Sequence, residues 1–275
     1  MVAHPRKPDA PSAVKNVRHS LTSRGIEVVL EEETARLIGE IGLEDFATGA
    51  DLVVSLGGDG TLLETLHRLG PNKAPIAGVN IGTLGFLTAC TDEEIDLLGD
   101  HLADGKINLV ERSMLRVEMI EEGGRAREFL ALNEAVLMRG ETGRLVSLDA
   151  RVDGDLLNHY RADGLIVATP TGSTAYSMAA GGPLLGPGAG VFVITPICPH
   201  SMSNRSLVVG EGSVIELAPS GGGDEPILFS VDGRDILRIE KDSVVRVTRH
   251  SECLRLVRLP GHSFYETRRK KLHWR

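Results

Sequence analysis

The sequence predicts an α/β fold combined with a β-rich part, and two observations support this. Over the first 110 residues, short apolar runs alternate with segments of helical periodicity, as they do in βαβ units. After residue 110 the helical period is replaced by alternating segments separated by turn residues. We therefore expect a Rossmann-like α/β domain over residues 1–110 and a β-sandwich-like domain over 111–251. The 275 residues suit two domains at roughly 150 residues each.

In the first part, apolar residues at helical spacing over 13–23 predict a helix that ends at Gly25. A short apolar run at 52–56 is typical of a strand covered on both faces. Glycines follow it, and then leucines at helical spacing. The strands predicted in this part are 2–4, 26–30, 52–56 and 76–80.

In the second part, Asp153-Gly154 follows an alternating segment and predicts a hairpin turn. A second turn is predicted where a strand runs into Glu121-Glu122-Gly123-Gly124. The strands predicted in this part are 115–119, 148–152, 214–217, 227–231 and 244–248.

The charge and cysteine content exclude several classes of protein. Thirty Lys and Arg against thirty-eight Asp and Glu give a net charge of −8, which argues against a general nucleic-acid or anionic-membrane surface. The three cysteines lack disulfide or zinc spacing. The N-terminus has no apolar leader, and no run approaches the roughly 18 apolar residues of a membrane span. We expect a cytoplasmic protein without nucleic-acid or membrane partners, which holds any anionic ligand locally.

A glycine loop, Gly57-Gly58-Asp59-Gly60-Thr61, lies between a predicted buried strand and a helix. Glycines allow close approach to a ligand, and a helix start presents free N–H groups, so a phosphate would bind there. A tight turn without a ligand is the alternative. Asp59 favours the ligand-binding interpretation. A carboxylate in a phosphate-binding turn is unfavourable unless it contacts a hydroxyl or a metal, which suggests a group acting on a ribose or another alcohol.

Two familiar phosphate loops do not match this sequence. Leu63 stands where the dinucleotide fingerprint GxGxxG needs its last glycine, and Gly105-Lys106 precedes isoleucine rather than Ser or Thr. A hydride-transfer dehydrogenase and a P-loop enzyme are therefore disfavoured.

A second loop follows the apolar run 164–168 and carries five Ser or Thr hydroxyls from Thr169 to Ser177. Hydroxyls can donate to phosphate oxygens without adding charge, and Tyr176 offers a stacking face. An unliganded polar turn is the alternative interpretation.

Together these motifs resemble the NAD kinases from about Asp51 to the C-terminus. The elements that match in order and spacing are Gly57-Gly58-Asp59-Gly60-Thr61, Asn133-Glu134, Asp163-Gly164, Thr169-Pro170-Thr171-Gly172-Ser173-Thr174-Ala175-Tyr176 and Pro196-Ile197-Cys198-Pro199-His200. The glycine loop alone also resembles phosphofructokinases and lipid kinases. The Asn-Glu pair and the hydroxyl-rich run make the resemblance specific.

The resemblance implies phosphoryl transfer from ATP or inorganic polyphosphate to the 2′-hydroxyl of the adenosine ribose of NAD. Asp59 then corresponds to the catalytic base and Gly60 to its backbone partner. Asn133 and Glu134 correspond to the pair that binds the adenosine part of NAD. A divalent metal ion, Mg²⁺, is implied at the donor phosphates, with no dedicated protein site for it. A homodimer or homotetramer is also implied, and so is a C-terminal segment (252–275) that returns to the first domain.

The same matching implies further binding positions. Asp163 corresponds to a contact to the nicotinamide-side ribose or amide, and Thr83-Leu84-Gly85-Phe86 resembles a turn that places Phe86 beside the nucleotide. Arg268-Arg269-Lys270-Lys271 is interpreted as a solvated helix face without a ligand. The remaining implied contacts are Gly58, Thr61, Arg144, Arg161, Thr171, Thr174, Ala175, Tyr176, Ser177, Met178, Ala179, Cys198 and Arg234.

Two alternatives to this assignment stay open from the sequence. One is another kinase with the same glycine loop, acting on a lipid or sugar; the hydroxyl-rich run with Tyr176 suits a dinucleotide better. The other is a non-catalytic NAD(P)-binding protein. The presence of Asp59 argues against it, because a binding module needs no base in that turn.

Overall fold

The computed structural model describes residues 1–70, 74–82, 85–221, 225–261 and 263–274. The chain forms two compact units. Unit 1 comprises Met1–Glu111 with Leu254–Arg275, and unit 2 comprises Arg112–Cys253. We propose that the domain boundaries lie where the sequence predicts them, with residues 1–110 and 252–275 in one domain and 111–251 in the other.

Unit 1 contains a parallel sheet with helices. The first strand is only two residues long, but Val2 pairs with Ser55 of the second strand, so the predicted N-terminal strand is confirmed. Strands 53–57 and 76–80 pair in parallel with every residue buried. The elements in chain order are β1 (Val2–Ala3), α1 (Ala10–Thr22), α2 (Glu32–Arg36), β2 (Val53–Gly57), α3 (Asp59–Leu69), β3 (Ile76–Asn80), β4 (Cys90–Thr91), a 3-10 turn (Asp92–Glu94) and α4 (Ile95–Ala103).

The predicted strand at 26–30 is wrong, because this segment forms no strand. Two of its carbonyl groups accept isolated hydrogen bonds: the Met1 ammonium donates to the Val29 carbonyl at 2.6 Å, and the Leu43 N–H donates to the Leu30 carbonyl at 2.9 Å. Ile26, Val28 and Leu30 pack on the core of unit 1, whereas Val29 is exposed. The alternation in the sequence therefore reports one-sided burial, which an extended segment achieves without a sheet.

Unit 2 is built on antiparallel strands. One sheet of six strands has the order β12-β11-β10-β7-β14-β15. The remaining elements of the chain are β5 (Asn108–Ile120), β6 (Ala126–Ala131), β7 (Glu134–Arg139), β8 (Val146–Val152), β9 (Asp155–Ala162), β10 (Gly164–Ala168), a 3-10 turn (Gly172–Thr174), α5 (Tyr176–Ala179), β11 (Val191–Ile197), β12 (Leu207–Gly210), β13 (Ile215–Pro219), β14 (Ile227–Val231), β15 (Arg234–Ile239), β16 (Val244–Arg258) and α6 (Phe264–Lys271).

A second antiparallel arrangement in unit 2 pairs β16 with β13, β13 with β8, and β8 with β9. Buried side chains of both sheets, including Leu148 and Phe229, form one core, as in a sandwich. The hairpin predicted at Asp153-Gly154 is confirmed, with φ angles of 52° and 87°. Positive φ at both positions is what a two-residue hairpin turn of the type I′ class requires.

The C-terminal segment returns to unit 1, as predicted. Leu256 near the end of β16 pairs in parallel with Ile76 of β3, and α6 follows in the same unit. The predicted fold class is thereby confirmed. Within the part of the chain that the structure describes, none of the helices combines the length and apolar character needed to cross a bilayer.

Candidate active site

The glycine loop forms a tight turn from β2 into α3. Gly58 is the residue before the helix, and Asp59 is the first residue within it. A Cβ at Gly57 would lie 2.0 Å from the Thr61 hydroxyl oxygen, so only glycine fits there. A Cβ at Gly60 would meet no atom within 4 Å. The turn therefore leaves open space beside the start of α3, where helix N–H groups are available to an anion.

The Asp59 carboxylate is held by two backbone groups. Its Oδ2 accepts the Phe86 N–H at 2.8 Å, and its Oδ1 accepts the Leu87 N–H at 3.0 Å. A Cβ at Gly85 would lie 2.2 Å from Asp59 Oδ1, so the turn at 85–87 closes around the carboxylate. Thr83 and Leu84 of the predicted turn lie outside the described residues. The arrangement fixes the orientation of Asp59 at the start of α3.

Phe86 is covered by cations of the C-terminal helix. The Arg268 guanidinium lies 5.8 Å from the Phe86 ring centroid, and the Lys271 ammonium lies 5.0 Å from it. Arg268 also stacks on Phe264 and is only 5% exposed. The interpretation of 268–271 as a solvated face is wrong for Arg268, because cation–π contacts replace its hydration. Phe86 thus connects α6 to the turn that holds Asp59.

In unit 2, the Asn133–Glu134 pair lies where β7 begins. The backbone carbonyl of Asn133 accepts the Thr169 N–H at 2.9 Å, and the Thr169 hydroxyl donates to the Leu132 carbonyl at 2.6 Å. A Cβ at Gly172 would lie 2.1 Å from the Asn133 carbonyl oxygen. The start of the hydroxyl-rich run therefore packs directly on the Asn-Glu pair.

Asp232 completes this region, and the sequence analysis missed it. Its carboxylate accepts the backbone N–H groups of Leu132, Asn133 and Glu134 at 2.8, 2.8 and 3.0 Å. The Asp232 N–H in turn donates to the Glu134 carbonyl at 2.9 Å. The only local signal in the sequence is an Asp-Gly pair after a strand, which predicts a turn and nothing more.

Glu134 is buried, with 6% of its surface exposed. The backbone N–H of Tyr176 bonds to its carboxyl group, while Oε2 has no hydrogen-bond partner. Burial, and secondarily the charge of Asp232, raise the pKa of Glu134 to about 8. Because desolvation disfavours the charged form, the carboxyl group is neutral at pH 7.

This raised pKa predicts a pH-dependent stability. Between the ordinary glutamate pKa near 4.5 and the folded value of about 8, the folded state binds one proton more than the unfolded state. The free energy of unfolding should therefore fall as pH rises through this window, by at most about 1.4 kcal/mol per pH unit. Urea unfolding at pH 6 and pH 9 measures it. The decrease should be smaller in Glu134→Gln, and an equal decrease in both proteins would contradict the prediction.

The hydroxyl-rich run is held by hydrogen bonds within itself and to neighbouring segments. Ser173 donates to the Pro170 carbonyl at 2.7 Å, and Thr174 donates to the Thr171 carbonyl at 3.0 Å. The Ser177 hydroxyl pairs with that of Thr195 at 3.0 Å. These three hydroxyls bond to protein groups and fix the shape of the loop. The exposed or half-buried positions of the run are Thr174, Ala175, Tyr176, Met178 and Ala179, whereas Thr171 and Ser177 are buried.

Asp163 lies at the opposite end of β10. Its Oδ1 accepts Arg139 Nε at 2.6 Å, and its backbone carbonyl accepts the Arg139 N–H at 2.8 Å. Its own N–H donates to the Ile197 carbonyl, next to the exposed Cys198. Arg139 is a second partner that the sequence analysis missed. The five residues of β10 separate this group from Asn133–Glu134 by roughly 17 Å, at about 3.3 Å per residue.

The remaining predicted arginines lie at the surface or at a strand end. Arg144 has an exposed side chain that pairs with Glu225 at 3.0 Å. Arg161 is exposed near the end of β9, and its carbonyl accepts the His200 N–H at 2.8 Å. Arg234 is half-buried at the start of β15, two residues after Asp232. The structure thus groups Asn133, Glu134, Tyr176 and Asp232, and separately groups Asp163 and Cys198.

Two features define the class of protein. The buried strand of the α/β unit ends in a Gly-Gly-Asp-Gly turn, and the β-rich unit of the same chain carries an Asn-Glu pair. Together they define a phosphotransferase that acts on a nucleotide. The model of the ATP-NAD kinase N-terminal domain matches residues 1–107, and that of the ATP-NAD kinase C-terminal domain matches residues 132–259. The chain belongs to the NAD kinase family, and the resemblance seen in its motifs is confirmed.

Individual relatives agree over the full length. The NAD kinase of Solibacter usitatus is 40% identical, with 100% of this chain and 96% of the relative covered. That of Syntrophotalea carbinolica is 36% identical, with 97% and 95% covered. Among solved structures, yeast NADH kinase complexed with NADH has a TM-score of 0.91 at 26% identity, covering 99% of this chain and 86% of that one. An Archaeoglobus fulgidus NAD kinase in complex with ATP has a TM-score of 0.75 at 25% identity, covering 100% and 98%.

Proposed function

We propose that this NAD kinase uses Asp59 as the general base for transfer of a phosphoryl group from ATP, or from polyphosphate, to the 2′-hydroxyl of the adenosine ribose of NAD. One observation carries the assignment. Asp59 is the first residue of α3, and its carboxylate is fixed by the backbone N–H groups of Phe86 and Leu87. Open space lies next to it at Gly60. A carboxylate held in this way is oriented before the substrate arrives.

The two N–H groups leave Asp59 able to act. An ionised carboxylate offers about four lone-pair positions, so two backbone donors leave capacity for a ribose hydroxyl. That hydroxyl is too weak an acid to ionise beforehand at pH 7. Asp59 would orient it and accept its proton late in the step. Phosphoryl transfer depends mostly on positioning and charge stabilisation, which suits a fixed carboxylate.

The start of α3 supplies a matching site for the donor. The first N–H groups of a helix have no partner within the helix, and the helix dipole adds partial positive charge there. Gly58 and Thr61 lie at this end of α3, and the proposed role of their backbone is to bind donor phosphates. The net charge of −8 is compatible with this, because the capture is local.

The side chains that the structure describes do not form a metal cage. Across the described ranges, no group of three or more His, Cys, Asp or Glu side chains could hold a metal ion. A Mg²⁺ ion would instead be bound by the phosphates of the donor, whose charge it would neutralise. Asp59 keeps its role in proton transfer irrespective of that ion.

The proposed acceptor-binding residues follow the family pattern. Asn133 and Glu134 bind the adenosine part, and Asp163 binds the nicotinamide side. The other proposed contacts are Phe86, Arg144, Arg161, Thr171, Thr174, Ala175, Tyr176, Ser177, Met178, Ala179, Cys198 and Arg234. The yeast relative solved with NADH supports a dinucleotide as the acceptor. We also propose a cytoplasmic homodimer or homotetramer, and light scattering would determine its mass.

The direct test is to incubate the protein with NAD and Mg²⁺ and with either ATP or polyphosphate. An enzyme specific for NADP then reads the product, and phosphorus NMR locates the new phosphate. We expect phosphate on the 2′-hydroxyl of the adenosine ribose. Absence of product with both donors, or phosphate on another hydroxyl, would overturn the proposed function.

A further inference from the structure

Asp232 and the Asn133–Glu134 segment are locked together by four hydrogen bonds. Three run from consecutive backbone N–H groups, those of Leu132, Asn133 and Glu134, to the Asp232 carboxylate. The fourth runs from the Asp232 N–H back to the Glu134 carbonyl. The residues are about 100 positions apart, so this contact depends on the tertiary fold.

The backbone at Asp232 is adapted to this contact. Its φ is +49°, and Gly233 follows with φ of +71°. Left-handed backbone is unfavourable for most side chains but is tolerated by Asp and Asn. The turn between β14 and β15 therefore points a carboxylate at the start of β7, where three N–H groups converge.

The same carboxylate acts on the ionisation of Glu134. Oε2 of Glu134 is buried without a hydrogen-bond partner, so a charge on it would be poorly stabilised. The cross-strand neighbour on β10 is the uncharged Ala168, and α5 contributes the Tyr176 N–H, which favours the charged form. Burial and the Asp232 charge outweigh that N–H and raise the pKa of Glu134 to about 8.

We propose that Asp232 is a positioning residue for nucleotide binding, which holds the Asn133–Glu134 segment in its binding conformation and places its charge beside the buried Glu134 carboxyl group. Glu134 then presents an O–H donor to an acceptor atom of the adenosine half of NAD. The inference rests on the proposed function, in which this pair binds adenosine. It adds the residue that positions the pair and the protonation state in which Glu134 acts, which burial maintains first and the charge of Asp232 second.

The experiment measures kcat and the KM for NAD from pH 6 to pH 9.5 in the wild type and in Asp232→Asn. In the wild type, KM should rise about tenfold per pH unit above pH 8, because binding requires one proton. In Asp232→Asn, KM at pH 7 should rise about ten- to one-hundredfold while kcat changes little, since an amide cannot accept all three N–H groups. The alkaline rise should also begin at lower pH, because the neighbouring negative charge is gone.

Asp153→Asn is the matched control. Asp153 also has positive φ, also precedes a glycine with positive φ, and its carboxylate accepts the Val214 N–H at 2.8 Å. The same substitution there changes a similar turn away from the proposed site. Its KM and pH profile should match the wild type, so an effect confined to Asp232→Asn separates positioning from general loss of turn stability.

Glu134→Gln keeps the test decisive even where Asp232→Asn fails to fold. The glutamine amide donates as a protonated carboxyl group does but does not titrate, so the KM of this variant should stay constant from pH 7 to pH 9.5, whatever its value at pH 7. A wild-type KM that does not rise above pH 8, or a Glu134→Gln KM that rises above pH 8 as steeply as the wild-type KM, would overturn the proposal. A wild-type protein that makes no NADP would instead overturn the proposed function, and this role with it.

Discussion

Replacing Asp59 with asparagine is expected to lower kcat for NADP formation by about 10²- to 10⁴-fold, the contribution typical of a positioned general base. Asparagine has nearly the same shape but cannot accept the ribose proton. Its amide oxygen still accepts one of the two N–H groups, from Phe86 or Leu87, that hold the carboxylate. The KM for NAD and the affinity for NAD, measured by calorimetry, should change much less than kcat.

The control for this variant is Asp51→Asn, which changes an exposed aspartate just before β2. It should leave kcat and thermal unfolding unchanged. If Asp59→Asn retains near-normal kcat, Asp59 is not the base. If it loses NAD binding and thermal stability together with kcat, the carboxylate serves mainly to hold the turn at 85–87.

Replacing Gly85 with alanine should also reduce kcat strongly, by about 100-fold. The new Cβ would lie 2.2 Å from Asp59 Oδ1 and 2.9 Å from its Cγ. Because the obstacle is the end of a side chain, the carboxylate would rotate away rather than unfold the turn. A displacement of about 1 Å at a reacting group costs on the order of 100-fold in rate. Steady-state kinetics with circular dichroism would measure the loss of activity and the retention of fold.

Gly212→Ala is the comparison for this steric effect, because a Cβ at Gly212 meets no atom within 4 Å. We expect normal kcat in that variant. A Gly85→Ala enzyme with wild-type kcat would show that the position of the Asp59 carboxylate does not limit the reaction.

The parts of the molecule that sequence predicted well are those with local signals. The run at 52–56, the glycines after it and the leucine spacing of α3 lie within twenty residues, so the strand, the turn and the helix could each be inferred. The two-residue β1 was also predicted, because an apolar segment had to precede the first helix of an α/β sheet. The segment at 26–30 was mispredicted, because alternation also arises from one-sided burial of an extended chain.

The contacts that organise the candidate site are distant in sequence and carry no local pattern. Asp232 lies about 100 residues from the pair it holds, and Arg268 lies far from Phe86. A basic run resembles a solvated face, and only the tertiary fold buries Arg268 and brings it near Phe86. The hydroxyl-rich run was identified as a feature, but four of its five Ser and Thr hydroxyls bond to protein groups inside or outside the loop, which composition cannot show.

The most direct test of the central claim is a single-turnover measurement of the phosphoryl-transfer step. Enzyme in excess over NAD is mixed with saturating ATP and Mg²⁺, and NADP is quantified after rapid quenching for the wild type and Asp59→Asn. If Asp59 accepts the proton of the ribose hydroxyl, the rate constant of this step falls at least about 100-fold in the variant while NAD remains bound. Equal rate constants in the two proteins would contradict the account.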